Sequence, residues 1–376
     1  MSHASVVARL LAKAPQTVSI TRSGPGTLAK LALELIGKGR NVVVVARSSD
    51  ELKEFRSLLT LFNPERSLCD PAPGRVCWSQ NFITIPQHPA GLGGKSGWAD
   101  RMAALYALQQ RRSAQGVLLT LDNFLLRLPP VDIFSTHELG LRKTMDMAPE
   151  LVLDQAVDWG YTRVPMVSVP GDIAVRGDIL DIFCPGYAKP LRLEFFGDTL
   201  DDIRHFDPVS QRSIEDVTEM RMLPVSPVIV SKALRRSAED YWRSEAKAGR
   251  LEPGDIAGLM RTADAGGQGL FSGMFYPDAS CLEDWLPPES IFLLPGEREV
   301  PLALEEAETS WSDFLQTELE IKGVRQPRSR VLCSVSQVSE FLSRQTRVFF
   351  EELRIGVPAD DDGLTLQEKP FRTCQE

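Results

Sequence analysis

Two glycine-rich turns and one pair of strands carry the residue types in this 376-residue chain that could do chemistry. The first turn is Thr21-Arg22-Ser23-Gly24-Pro25-Gly26-Thr27-Leu28, between an apolar stretch and a helical one. A phosphate loop of the form G-x-x-x-x-G-K-[ST] cradles phosphate with backbone N–H groups. Its lysine neutralises charge and its hydroxyl holds Mg²⁺. Here Thr21 replaces the first glycine, Thr27 the lysine and Leu28 the hydroxyl. Gly24 and Gly26 retain backbone suited to an anion nest. The expectation is therefore a degenerate phosphate loop at Gly24, Gly26 and Thr27, with no catalytic residue and no ATP or Mg²⁺ in this segment; a tight strand-to-helix turn is the simpler description. The second turn, Pro89-Ala90-Gly91-Leu92-Gly93-Gly94-Lys95-Ser96, has Gly-Lys-Ser but puts proline at the first glycine. It reads as a glycine loop before a helix at Ala99.

The more informative stretch is Val175-Arg176-Gly177-Asp178-Ile179-Leu180-Asp181-Ile182-Phe183, followed by Pro190-Leu191-Arg192-Leu193-Glu194-Phe195-Phe196-Gly197-Asp198. Period-two alternation puts Leu191, Leu193 and Phe195 on one face of the second strand and Arg192, Glu194 and Phe196 on the other. An aromatic between charged residues is not ordinary core patterning, and arginine with aromatics is the composition of binding hot spots. Two readings stand side by side. Either Arg192 and Phe196 belong to an interface, or Phe196 packs under a loop while Arg192 pairs with Glu194 or Asp198.

Other chemistries are bounded by spacing and charge. The cysteines (Cys69, Cys77, Cys184, Cys281, Cys333 and Cys374) show no C-x-x-C pair, and the histidines (His3, His88, His137 and His205) no H-x-x-x-H pair. No metal site is expected, and the cysteines read as reduced, mostly buried thiols. The net charge of −9 excludes the broad positive field of a general DNA binder. Residues 134–225 hold nine Lys/Arg against sixteen Asp/Glu, so their arginines are local anchors and not a nucleic-acid patch. With 43% hydrophobic and 25% charged residues, the composition is that of a globular chain and not of a disordered one. No run of about 18 apolar residues offers a membrane span, and Met1–Gln16 lacks a signal-peptide core. The expected compartment is the cytoplasm.

The elements that must position these residues fall into blocks. Over 17–128, strands at Thr17–Ile20, Asn41–Ala46, Phe82–Ile85 and Gly116–Leu121 alternate with helices at Leu28–Ile36, Asp50–Leu61 and Ala99–Gln110, which implies a parallel sheet. After Pro129-Pro130, short helices are expected at His137–Met147 and Pro149–Trp159. Strands follow within Arg163–Phe183 and at Leu191–Phe196 and Leu200–Phe206, punctuated by Pro170-Gly171, Pro185-Gly186 and Gly197-Asp198. That pattern predicts an antiparallel meander. A charged helix is expected at Lys232–Lys247 and strands at Ser290–Leu294, Arg330–Ser334 and Arg347–Phe350. The tail with Asp360-Asp361-Asp362-Gly363 reads as an acidic linker, as in a fragment of a longer chain. The fold class is α/β, a parallel-sheet domain with an inserted α+β domain of antiparallel strands.

A resemblance rests on Arg176-Gly177 through Asp181-Ile182-Phe183, on Leu191-Arg192-Leu193-Glu194-Phe195-Phe196-Gly197-Asp198, and on Phe206-Asp207-Pro208-Val209-Ser210-Gln211-Arg212-Ser213 with Leu223-Pro224. These motifs resemble the UvrB-related module of bacterial nucleotide excision repair, and most closely the N-terminal part of the transcription-repair coupling factors. The match is dense over about 134–226 and looser across 1–350. It implies a degenerate P-loop NTPase-like domain 1a (1–133), a UvrA-binding domain 2 (134–226), a domain 1b (227–350) and a linker (351–376). It also carries the family's UvrA contacts onto Arg176, Arg192 and Phe196. RNA polymerase, DNA and an ATP-driven motor would be engaged by domains beyond these residues. A C-terminal domain of the longer chain would cover the UvrA-binding face, and the present region would help to restrain the motor. UvrB itself has a working phosphate loop and a tyrosine-rich hairpin, and this chain departs from both. A UvrB-like nucleotide-dependent helicase subunit is the alternative.

Overall fold

The computed structural model describes residues 3–11, 16–21, 24–62, 82–87, 94–110, 114–264, 271–322, 328–351 and 364–365. The acidic tail and most of the two glycine turns' variable positions (Arg22, Ser23 and Pro89–Gly93) lie outside them, as do Cys69, Cys77 and Cys374. Four strands come first: β1 (Thr17–Thr21), β2 (Val42–Ala46), β3 (Phe82–Thr84) and β4 (Gly116–Thr120). Nine short strands follow: β5 (Leu139–Arg142), β6 (Met145–Asp146), β7 (Thr162–Arg163), β8 (Asp172–Arg176), β9 (Ile179–Ile182), β10 (Leu191–Phe196), β11 (Thr199–Phe206), β12 (Ser213–Asp216) and β13 (Glu219–Met222). The last are β14 (Ile291–Pro295), β15 (Thr346–Glu351) and β16 (Leu364–Thr365).

The early and late strands form one parallel sheet in the order β16-β1-β15-β14-β2-β4-β3. The middle of the chain is thus an excursion from a sheet that its two ends build together. β2 explains why the sheet is a middle layer. All five residues of Val42–Ala46 are buried. Val42 and Val44 enter a core with Leu31, Leu35 and Phe55 from helices 25–37 and 49–62. Val43 and Val45 enter the opposite core with Met102 and Leu105 from helix 94–109. A strand covered on both faces reads as a continuous apolar run, and this one does.

The excursion builds an antiparallel sheet in the order β12-β11-β10-β9-β8, with β7 added in parallel at the edge and β6 pairing the start of β11. One face of it buries Ile173, Leu180, Ile182, Leu191, Leu193, Leu200 and Ile203 in the same continuous core that reaches helix 94–109. The junction is bonded as well as packed. Phe134 meets Tyr106 edge-on at 5.2 Å between ring centres and Trp285 at 6.1 Å. Arg221 of β13 donates to the Tyr106 hydroxyl at 2.9 Å and pairs with Glu138.

Three expectations are corrected. His137–Met147 is not a helix: the helical turn precedes it at Ile133–Thr136, and the segment forms β5 and β6. Long-range pairing overrides local propensity here, since Leu139–Arg142 pairs residue for residue with β13. Thr144 takes φ +66°, and its N–H donates to Leu200 O at 2.7 Å. Arg330–Ser334 is not a strand either. Arg328–Val331 is helical, Leu332 makes one isolated bridge to Leu126, and Ser334 caps the next helix by accepting from Gln337 N. Finally, the fourth long helix begins at Gly94, so Gly94, Lys95 and Ser96 form its first turn and not a free loop. Among the described residues no helix is long and apolar enough to cross a membrane.

Candidate functional site

Two hairpin turns set the geometry of the site. β8 passes to β9 through Gly177-Asp178, and β10 passes to β11 through Gly197-Asp198. Both glycines sit at φ +59° with open space around a would-be Cβ. Glycine at the first central position with positive φ is what a two-residue type II′ hairpin requires. Arg176 and Phe196 are each the last strand residue before such a turn. β8 and β10 both run antiparallel to β9, so the two turns lie at the same end of the sheet.

Register places the three predicted side chains on one face. Arg176 pairs with Ile179, which pairs with Glu194; one row inward, Ala174 pairs with Asp181 and Asp181 with Arg192. Residues in register share a face, and alternate residues along a strand share it too. Arg176, Arg192, Glu194 and Phe196 therefore share one face of the sheet, opposite the buried Leu191 and Leu193. Two strand spacings separate the β8 and β10 positions, roughly 10 Å.

The three side chains differ in what they do there. Phe196 is 84% exposed, so it does not pack under a loop. Arg176 is exposed and donates to Pro165 O at 2.7 Å; among the described residues it makes no ion pair. Arg192 is committed inward. Its Nε and Nη2 donate to Asp181 Oδ1 and Oδ2 at 2.7 and 2.9 Å, a bidentate fork, and its plane lies over Phe206 at 4.8 Å. The pair is mostly shielded, with side chains 17% and 3% exposed. The Asp181 hydrogen bonds hold the Arg192 pKa above its ordinary value, against the partial burial that lowers it. Arg192 pairs with neither Glu194 nor Asp198. The carboxylate that sequence reasoning missed is Asp181, and its signal was present: it is the one charge in the run Ile179-Leu180-Asp181-Ile182, on the face opposite Leu180.

The remaining outward charges answer one another. Arg204 reaches Glu194 at 3.7 Å and Asp216 at 3.4 Å and also pairs with Asp202, which Lys143 joins. At the far end, the Asp207–Arg212 loop is tied by its own aspartate. Asp207 Oδ1 accepts from Val209 N at 3.0 Å and Ser210 N at 2.7 Å, leaving the Val209 side chain at the exposed tip. Arg192 Nη1 also lies 3.4 Å from Gln211 O in this loop. Phe196 and Val209 thus mark opposite ends of a charged face.

At the first glycine turn, Gly24 caps helix 25–37, with Pro25 at the first helical position. Gly24 O accepts from Thr27 N at 3.0 Å, and a Cβ on Gly26 would lie 3.7 Å from the Phe62 ring. Proline removes one N–H from any anion nest there.

The family model of the UvrB interaction domain matches residues 139–227, the segment that holds the antiparallel sheet. The chain is 30% identical over 259 residues to the transcription-repair-coupling factor of Myxococcus xanthus, covering 65% of this chain and 20% of that protein. The factor of Haemophilus influenzae is 26% identical over 271 residues, covering 72% and 23%. That of Escherichia coli is 33% identical over 146 residues, covering 39% and 12%. The chain spans a quarter or less of the length of these relatives. Residues 139–227 thus match the UvrB interaction domain, within a chain similar over much of its length to a part of the transcription-repair-coupling factors.

Proposed function

We propose that the outward face of β8–β11 docks UvrA and so links stalled transcription to excision repair. The observation that carries this reading is Phe196. A phenylalanine held 84% exposed on a rigid hairpin, at the same sheet end as the exposed Arg176, has no role in this chain's own core. It suits an apolar pocket on a partner, with the Arg176 guanidinium bonding a neighbouring carboxylate. Arg192 acts one step back: by holding Asp181 and Phe206 it fixes the strands from which the other two project.

In this reading the segment adheres and does not burn fuel. ATP turnover, polymerase binding and DNA translocation belong to other parts of a longer chain, and a C-terminal domain of that chain covers the same face at rest. The test is calorimetric titration of UvrA into this chain. Phe196→Ala should weaken binding about thirtyfold, the cost of truncating a central anchor at ~2 kcal/mol. Unchanged affinity in the Phe196→Ala, Arg176→Ala double variant would remove the proposal.

A further inference from the structure

The connection that leaves the parallel sheet for the antiparallel unit is Leu125–Leu128, and it is gripped from both sides. Leu128 N donates to Ser280 O at 2.9 Å, and Ser280 N returns a bond to Leu128 O at 3.0 Å. On the other side Cys333 N donates to Leu125 O at 2.7 Å, Arg127 N donates to Val331 O at 2.9 Å, and Leu126 bridges Leu332. Cys281 follows the first contact and Cys333 belongs to the second. Their Sγ atoms lie 2.9 Å apart although 52 positions separate them in sequence. Arg127 crosses between the two flanks, its Nε donating to Ser329 O at 3.2 Å and its Nη1 lying 3.8 Å from Cys281 Sγ.

We propose that Cys281 and Cys333 form a modification site, a dithiol that hydroperoxides convert to a disulfide clasp across the inter-domain connection. The sulfurs need to close by only about 0.9 Å to reach the ~2.05 Å of an S–S bond, a distance that small side-chain rotations supply. The two thiols are not equivalent. Cys281 is half-buried, and hydrogen bonding from the Cys333 thiol, helped by the Arg127 charge, lowers its pKa despite desolvation. Cys333 is 2% exposed, with its pKa raised by the same bond and by burial. Cys281 is therefore the attacking thiolate. Its sulfur attacks one peroxide oxygen and the O–O bond breaks. The departing hydroxide takes up a proton to leave as water, and Cys281 becomes a sulfenic acid. Cys333 sulfur then attacks that sulfur as its own proton is lost; the S–S bond forms, the S–O bond breaks and a second water leaves. Two thiols are oxidised by two electrons and one hydroperoxide is reduced. The cross-link ties Ser280 and Leu332 together around Leu125–Leu128, so the oxidised form resists opening of the junction beneath the antiparallel unit. None of this depends on which partner that unit binds.

The test treats the full chain with hydrogen peroxide, alkylates it, and digests it without reductant. The expected product links tryptic peptide 262–298 to 331–344, at their summed mass less two hydrogens, and vanishes in Cys281→Ser and in Cys333→Ala. Amide exchange at Arg127 and Leu128 should slow in the oxidised chain and recover on reduction. Alkylation of both cysteines after peroxide treatment would overturn the site, as would a cross-link that forms only in denaturant. A native cross-link with unchanged exchange would overturn the clasp. If Cys333→Ala fails to fold, Cys281→Ser, with its change at a half-buried position, carries the same comparison.

Discussion

Arg192 and Asp181 face each other across β10 and β9 in a two-bond fork, and the aspartate is almost wholly shielded from water. That relationship changes what an alanine at 192 reports. Removing a guanidinium from a shielded carboxylate leaves the charge buried and unpaired, at about 3–5 kcal/mol. Arg192→Ala should therefore lower the urea midpoint sharply, before any partner is added. The Arg192→Leu, Asp181→Leu double variant should recover most of the loss, because an apolar pair replaces a desolvated ionic one. Equal midpoints for wild type and Arg192→Ala would show that the fork contributes nothing.

Phe196 makes the opposite prediction. Its ring is exposed, so Phe196→Ala should change unfolding free energy by no more than about 0.5 kcal/mol. A stability loss of the kind expected at position 192 would mean that the ring packs within the chain. Equilibrium denaturation of the two variants side by side separates an anchor from a strut.

The turns that aim the side chains can be tested by backbone strain. Gly197 sits at φ +59° with nothing near a would-be Cβ. Gly197→Ala should cost about 1–2 kcal/mol from the left-handed conformation alone, with no steric clash. Because the turn fixes the end of β10, partner affinity should fall with it. Gly177→Ala, with the same angle and the same open surroundings, should behave alike.

How much of this was legible in the sequence depended on how local the signal was. The valine run of β2 and the alternation of β10 announce their own faces, and Gly197-Asp198 announces its hairpin, whereas the turn at Gly177-Asp178 lies inside a stretch that reads as continuous strand. Alternation alone thus puts Arg192 and Phe196 on one face, while Arg176 joins them only through the family resemblance and the register of β8 on β9. Local signal failed where pairing is remote. Leu139–Arg142 becomes a strand because β13 arrives 80 positions later, and nothing within the segment says so. Asp181 is visible as a misplaced charge, but its partner depends on the register across an eight-residue loop, so local sequence offers Arg192 only the nearer Glu194 and Asp198 as pairing candidates. The contact between Cys281 and Cys333 has no spacing signature, since two separate segments bring them together around a third.

His205 supplies a pH prediction. It is buried opposite Leu191 beside Tyr187, with Nε2 lacking a partner among the described residues. Desolvation lowers its pKa, against the pull of the Pro190 carbonyl and Glu215. The folded chain then binds its proton less readily than the unfolded chain, whose histidine titrates near ~6.5. Stability from this residue is intact above that pH and is lost as pH falls below it towards the lowered folded value. Denaturation midpoints between neutral pH and pH ~5 should decline less in His205→Phe than in wild type. Parallel curves would locate the acid sensitivity elsewhere.

Hydroxyl-radical footprinting of the chain with and without UvrA reads out whether one face of the antiparallel sheet is the docking surface. Oxidation of Phe196 should be suppressed in the complex, with Val209 as the next residue to compare along the same face and exposed Leu61, on the parallel-sheet unit, unchanged. Undiminished labelling of Phe196 in a UvrA-saturated sample would contradict docking through this face.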